Sequence, residues 1–336
     1  MPGWTRASAT PEEAAARQSA PPLPWPQAGE RARRRTLLRL LRRRPLGAAA
    51  MAAVLAMLAL SLGPPQPRFG LPDLPARPLG FEMGRPFLAR YGPEDFFRDE
   101  SGRLARFQGP SRQHWLGTDD KGRDVWSRLV WGTRRSLFFA LWALALGTVG
   151  GTAVGLVSAY FLGTLDLLLQ RLMDALQSFP PLLVLMLAVS LVEPSLRVLA
   201  VALAIVVMPG AQRVARSVVL SVRQEPYVEA ARALGASHLR VIVRHVLPNA
   251  VAPAVVVFTV GLGAAVLAEA ALSFIDPSTV PQAASWGLML AEGRAFMFEH
   301  PHVVLAAGGA IALAVMAFNL AGDALRDALD PRLRLF

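Results

Sequence analysis

Three carboxylates, Asp119, Asp120 and Asp124, crowd the segment 114–124, HWLGTDDKGRD. Carboxylates beside a histidine can hold a metal ion or move protons. Here His114 is the one nearby histidine, and Gly117 and Gly122 flank the acids. A turn held by Asx hydrogen bonds is therefore the simpler reading. His238 and His245 lie a heptad apart without a third ligand, so they are not read as a metal pair. Glu269 is an ionisable residue in an apolar stretch, where carboxylates serve translocation or helix contacts. Asn319 and Asp323, one turn apart in another apolar stretch, are read as helix-contact residues, with translocation as the alternative. There is no cysteine, which excludes disulfides and thiolate metal sites. No GxxxxGK[ST] phosphate loop occurs either. The expectation is no catalytic residue, no metal and no cofactor bound by this chain.

The elements that must carry these residues are hydrophobic. The chain has 336 residues, 53% of them hydrophobic, and a mean hydropathy of +0.38. Several apolar runs near 20 residues make this a polytopic membrane protein, all-α, with six transmembrane helices expected. The runs are 46–62, 136–161, 175–192, 196–217, 250–272 and 301–321. The net charge of +11 could suggest nucleic acid, but much of the excess lies in an arginine-rich segment just before the first run. That placement follows the positive-inside rule and puts the N-terminus in the cytoplasm; nucleic acid is not expected as a partner. A signal peptide would also begin this way, but no small-x-small cleavage site follows, so the first run is read as an uncleaved span.

The expected organisation is a disordered cytoplasmic tail over 1–36, a first transmembrane helix within 37–63 and a long extracytoplasmic loop over 64–135. A five-helix core over 136–325 and a cytoplasmic tail over 326–336 follow. The long loop is rich in basic residues, nearly all Arg, yet loops above about 60 residues escape the charge rule. Gly147, Gly151 and Gly155 form a small-xxx-small ridge for close helix packing. Pro180-Pro181 opens the third run, and Pro209-Gly210 predicts a kink in the fourth. With six spans both termini lie in the cytoplasm, as do the loops 162–174 and 218–249, while 273–300 lies outside.

The loop 218–249 is a polar island of two short amphipathic helices. Pro226 suits a first helical position. Tyr227, Ala230, Ala231 and Leu234 follow one helix face. Gly235 can end that helix in the left-handed conformation, and Ser237 can cap the next. The second helix has Leu239, Ile242, Val243, Val246 and Leu247 on its apolar face, expected to turn back onto the membrane helices, and Pro248 ends it or kinks the next span. An alanine face is a poor lipid anchor, which favours a protein partner over an interfacial helix.

Glu229-Ala230-Ala231, Gly235, Ile242 and Leu247-Pro248 together resemble the EAA loop of the membrane subunits of ABC importers. Ile242 stands a little earlier than the family's usual isoleucine, near Val246. HWLGTDDKGRD at 114–124, AEAALSF at 268–274 and AFNLAGDALRDALDP at 317–331 are similar to signatures of the dipeptide, oligopeptide and nickel branch. The resemblance spans about 37–335, and the long outer loop exceeds the branch's usual length. It implies a type I ABC importer permease in a bacterial inner membrane, with no enzymatic activity of its own. Its implied partners are a second, usually non-identical permease subunit, two cytoplasmic ATPase subunits that hold ATP and magnesium, an extracytoplasmic substrate-binding protein, and membrane lipid. The implied ATPase-coupling residues are Tyr227, Glu229, Ala230, Ala231, Arg232, Leu234 and Gly235. The implied cargo is di- or oligopeptides, with nickel, opines or other small solutes as alternatives on the same machinery. A secondary transporter would need repeated halves with broken helices, and a membrane receptor would leave the structured 218–249 loop without a task.

Overall fold

Side-chain caps from Asp124, Ser195, Ser237 and Ser285 open four of the described helices. In the computed structural model, which describes residues 45–61, 85–192, 194–279 and 284–329, the described elements form an all-α protein. Helix α1 is Pro45–Ser61, α2 Val125–Phe161, α3 Gly163–Gln177 and α4 Pro181–Leu191. Helix α5 is Leu196–Val222, α6 Pro226–Ala233 and α7 His238–Ile275. Helix α8 is Trp286–Gly293 and α9 His302–Leu329. By length and composition α2, α5, α7 and α9 can each cross a membrane; α3 and α4, bent by 87°, form a broken span or re-entrant pair, and α1 is a shorter apolar helix. The expected tail at 1–36, the arginine-rich segment and the tail beyond 329 lie outside the described residues.

Several boundaries differ from the hydropathy pattern. The second span begins at Val125 rather than 136, because Asp124 caps it by accepting from the Ser127 amide at 2.8 Å. Its first turns carry Trp126, Arg128, Trp131, Arg134 and Arg135, so hydropathy scores them as loop. The expected loop 162–174 is helix α3, whose polar residues Asp166 and Asp174 pair with Arg216 (2.7 Å) and Arg213 (2.9 Å) of α5. The third run breaks between Gln177 and Pro181, where Pro180 and Pro181 offer no amides. Helix α5 passes through Pro209 without interruption and continues to Val222. The expected outer loop 273–300 contains α8, capped by Ser285, whose side chain accepts from the Leu288 amide at 3.2 Å. Helix α9 continues past 325 to Leu329.

The larger apolar core joins α1, α2, α4, α5, α7, α8 and α9. Helix α2 lies along α5 and α7, and α9 packs on α7 and α1. The ridge of Gly147, Gly151 and Gly155 faces α5. A methyl at Gly147 would lie 2.7 Å from the Ala204 carbonyl oxygen, and one at Gly155 2.6 Å from that of Gln212. One at Gly151 would overlap the Met208 carbonyl oxygen. Helices this close gain dispersion contacts along their whole length. A second, smaller core sits at the other end of α2, where Leu156, Ala159 and Tyr160 meet Val219, Val228, Val241, Val246 and Ala250.

Candidate functional site

The second core roots the segment 225–249. Val228 is fully buried there and anchors α6, a burial that contributes about 2 kcal/mol. The rest of α6 turns outward. Tyr227, Glu229, Ala230 and Arg232 are exposed, Ala231 is half-buried, and Leu234 is 88% exposed. Among the described residues Glu229 makes no ion pair. Gly235 has φ +80. Its amide donates to the Arg232 carbonyl at 2.9 Å, and the Ala236 amide donates to the Ala231 carbonyl at 3.1 Å. These two bonds make a Schellman ending, which needs the left-handed residue that glycine supplies. Ser237 then caps α7 by accepting from the Arg240 amide.

The second half of the loop differs from its expected form. It is no separate helix: α7 runs continuously from His238 to Ile275. Residues Ile242–Val246 form a π turn, and the Leu247 amide donates to the Ile242 carbonyl. The wider turn lies immediately before Pro248 and rearranges the bonding where proline lacks an amide, so the helix neither stops nor restarts. It also rotates the apolar face. Val241 and Val246 are buried, whereas Leu239 and Val243, expected to face inward, are 71% and 52% exposed.

Several contacts hold the loop to its own chain. The Tyr160 hydroxyl lies 2.9 Å from His238 Nδ1, and the Arg232 guanidinium lies 5.0 Å from the centre of the Tyr160 ring. Asn249 Nδ2 donates to the Tyr227 hydroxyl at 3.4 Å. Tyr160, Val228 and Val241 were not singled out by the sequence pattern, and His238 was weighed there only as half of a metal pair. The visible signals were modest: a tyrosine at the end of an apolar run and valines out of phase with the chosen face.

At the opposite end of α2, the acidic segment forms a cap. Asp119 Oδ1 accepts from the amides of Lys121 and Arg123, both at 2.9 Å, an Asx turn. Its Oδ2 accepts from Arg123 Nε at 2.7 Å and Arg128 Nη1 at 2.6 Å. Glu292 of α8 pairs with Arg123 at 2.7 Å, Arg128 at 2.8 Å and Lys121 at 2.9 Å. His114 Nδ1 lies 2.9 Å from Asp124 Oδ1. Asp119, Asp120 and Glu292 approach within 4.8 Å of one another, but the chain's own Arg123, Arg128 and Lys121 supply the countercharge. Burial pushes the Glu292 carboxyl up, yet Arg128, Lys121 and Arg123 outweigh it and hold it down to about 2. Burial and the charges of Asp119 and Glu292 raise Asp120.

Glu269 is buried within its own chain. Its Oε2 accepts from Ser136 at 2.8 Å and its Oε1 from Ser273 at 3.2 Å. It also faces Arg135 and Ser285, so it joins α2, α7 and the start of α8. Asn319 lies against Gly263 of α7 and lines an open apolar groove of about 780 Å³ between α7, α8 and α9. Asp323 is exposed one turn further along.

Residues 151–335 match the family model described as binding-protein-dependent transport system inner membrane component. A dipeptide transport system permease protein of Alkalihalophilus pseudofirmus is 42% identical over 68% of this chain and 75% of its own length. A putative peptide transport system permease protein of Brucella abortus is 41% identical over 68% and 77%. A glutathione transport system permease protein of Pectobacterium atrosepticum is 39% identical over 74% and 81%. The bundle of apolar helices, the Schellman-closed helix α6 on its flank and these matches agree, and the chain belongs to the family of binding-protein-dependent transport system inner membrane components.

Proposed function

We propose that this chain is one permease subunit of an ATP-driven importer of di- or oligopeptides, with α6 as the helix that engages a cytoplasmic ATPase subunit. The observation that carries the coupling role is α6 itself: one side is rooted by the buried Val228, and the other presents Glu229, Ala230 and the almost fully exposed Leu234. Small residues let a partner approach closely, Leu234 offers an apolar anchor, and Glu229 offers a carboxylate for a basic group of the partner. Peptide cargo rests on the names of the relatives, which are dipeptide, peptide and glutathione permeases.

In this reading both termini and α6 are cytoplasmic. A second, homologous but non-identical permease subunit completes the path, and an extracytoplasmic binding protein delivers cargo at the cap end. ATP and magnesium sit on the ATPase subunits, since this chain has no phosphate-loop motif. Glu269, enclosed within its own subunit, acts as a helix contact rather than a path-lining group. The test is co-purification of the assembled transporter with its ATPases, with and without Glu229→Arg. The expected result is stable association of the unmodified chain and loss of most of it on charge reversal. Absent association, or association indifferent to changes at Glu229 and Leu234, overturns the coupling role.

A further inference from the structure

Helix α6 is joined to its neighbours by non-helical links at both ends. The turn Arg223–Glu225 precedes it, and the left-handed Gly235 follows it. Side-chain contacts therefore add to these backbone links in passing a displacement of α6 to the bundle. Apart from Val228 in the shared core, two side-chain routes leave it among the described residues. One runs from Tyr227 to Asn249 of α7 through a long, exposed hydrogen bond of 3.4 Å, beside the π turn that loosens this part of α7. The other runs to Tyr160 at the end of α2. That ring is 5% exposed and packs in the same core as Val228. The Arg232 guanidinium lies 5.0 Å from its centre, and its hydroxyl lies 2.9 Å from His238, the first residue of α7. Arg223, just before α6, donates to the carbonyl of Ala159 at 3.0 Å. Both flanks of α6 therefore converge on the last turn of α2.

We propose that Tyr160 is the positioning residue that ties α6 to α2, so that α2 rather than α7 carries the loop's displacement to the cap. The proposal rests on the coupling role of α6 given above. Helix α2 suits the task. It is one uninterrupted helix of 37 residues, about 55 Å long at the standard rise. Its far end is clamped by Arg128, which bonds both Asp119 of the cap and Glu292 of α8. A shift at Tyr160 would reach the cap without passing through a hinge. The exposed Arg232 then holds its guanidinium against the Tyr160 ring, in place of the ATPase contact that the family motif implies.

The experiment uses the complete transporter in liposomes, with dipeptide uptake and ATP hydrolysis measured on the same preparation and ATPase association measured by co-purification. Tyr160→Leu removes the ring and the hydroxyl, Tyr160→Phe only the hydroxyl, and Arg232→Gln only the cation. The expected result is unchanged ATPase association in all three. Uptake per ATP should fall about fivefold in Tyr160→Leu, the low end of ordinary coupling between sites, and by less in Tyr160→Phe. Arg232→Gln should lower the ratio in the parent chain and have no further effect beside Tyr160→Leu, the signature of a shared contact. An unchanged ratio in Tyr160→Leu, additive losses with Arg232→Gln, or loss of ATPase association in Arg232→Gln would each overturn the proposal. Where Tyr160→Leu fails to assemble, the same comparison is made with Tyr160→Phe, and additivity with Arg232→Gln sinks the idea equally. If the unmodified chain holds no ATPase, or Glu229→Arg is without effect, it is the coupling role itself that fails.

Discussion

Arg128 is fully buried, and its charge is met by Asp119 and Glu292. A buried guanidinium is tolerated only with such partners, and removing one of them leaves an uncompensated charge. The Glu292 carboxyl is held at about 2, below its ordinary 4.5. A depressed carboxylate favours the folded state when ionised. The contribution is full above about pH 4.5 and is lost as the pH falls to about 2, an upper bound of about 3 kcal/mol. Thermal unfolding of the detergent-solubilised protein should therefore separate Glu292→Gln from the parent at neutral pH, with the gap closing across that acidic window. A gap independent of pH would mean that Glu292 acts by packing alone. Glu269 gives a second case. Its two oxygens accept from Ser136 and Ser273 inside the protein. Glu269→Ala should cost about 2–4 kcal/mol, because it strands the buried hydroxyls of Ser136 and Ser273. Glu269→Gln, which keeps an acceptor, should cost less; equal melting shifts for the two would contradict this account.

At the scale of elements, α2 and α5 are joined by backbone proximity along the glycine ridge. Gly151→Ala places a methyl on the Met208 carbonyl and must push the helices apart, at a cost of about 1–3 kcal/mol. Gly210 is a control within α5, with open space where a Cβ would go. Gly210→Ala should be neutral or stabilising by up to about 1 kcal/mol through helix propensity. A melting comparison in which both alanines behave alike would remove the ridge from the account. Gly235 is governed by backbone conformation instead, since nothing lies near its missing Cβ and its φ is +80. Gly235→Ala should cost about 1 kcal/mol, Gly235→Asn less and Gly235→Val more. Uptake should decline in the same order if the angle between α6 and α7 matters. The elements also mark where the sequence misleads. Hydropathy found each apolar run, but it missed the polar first turns of α2 and the amphipathic α3, which are not uniformly apolar, and α8, which has only eight residues. Helical periodicity was right for α6 and wrong for the start of α7, where a π turn shifts the face by part of a turn.

For the whole molecule, α6 and the cap lie at opposite ends of α2, and the proposed orientation places a membrane between them. The native chain has no cysteine, so single cysteines can report sidedness without background. Leu234→Cys, at an 88% exposed position, should react with an impermeant maleimide only in inside-out vesicles. Ser101→Cys, exposed in the segment that precedes the cap, should react only in right-side-out ones. Labelling of both from one side would invert or refute the topology. Membrane character, the order of the apolar runs, the Asx turn at Asp119 and the glycine ending of α6 were determined by the sequence itself. Each depends on groups within a few residues of one another, so short-range sterics and hydrogen bonding suffice. The tertiary structure alone decided that Glu292 meets Arg123 across 169 positions, that Ser136 meets Glu269 across 133 and that Tyr160 meets His238 across 78. Those partners are chosen by which helix faces pack together, and packing is a property of the assembled bundle that no local pattern of residues encodes.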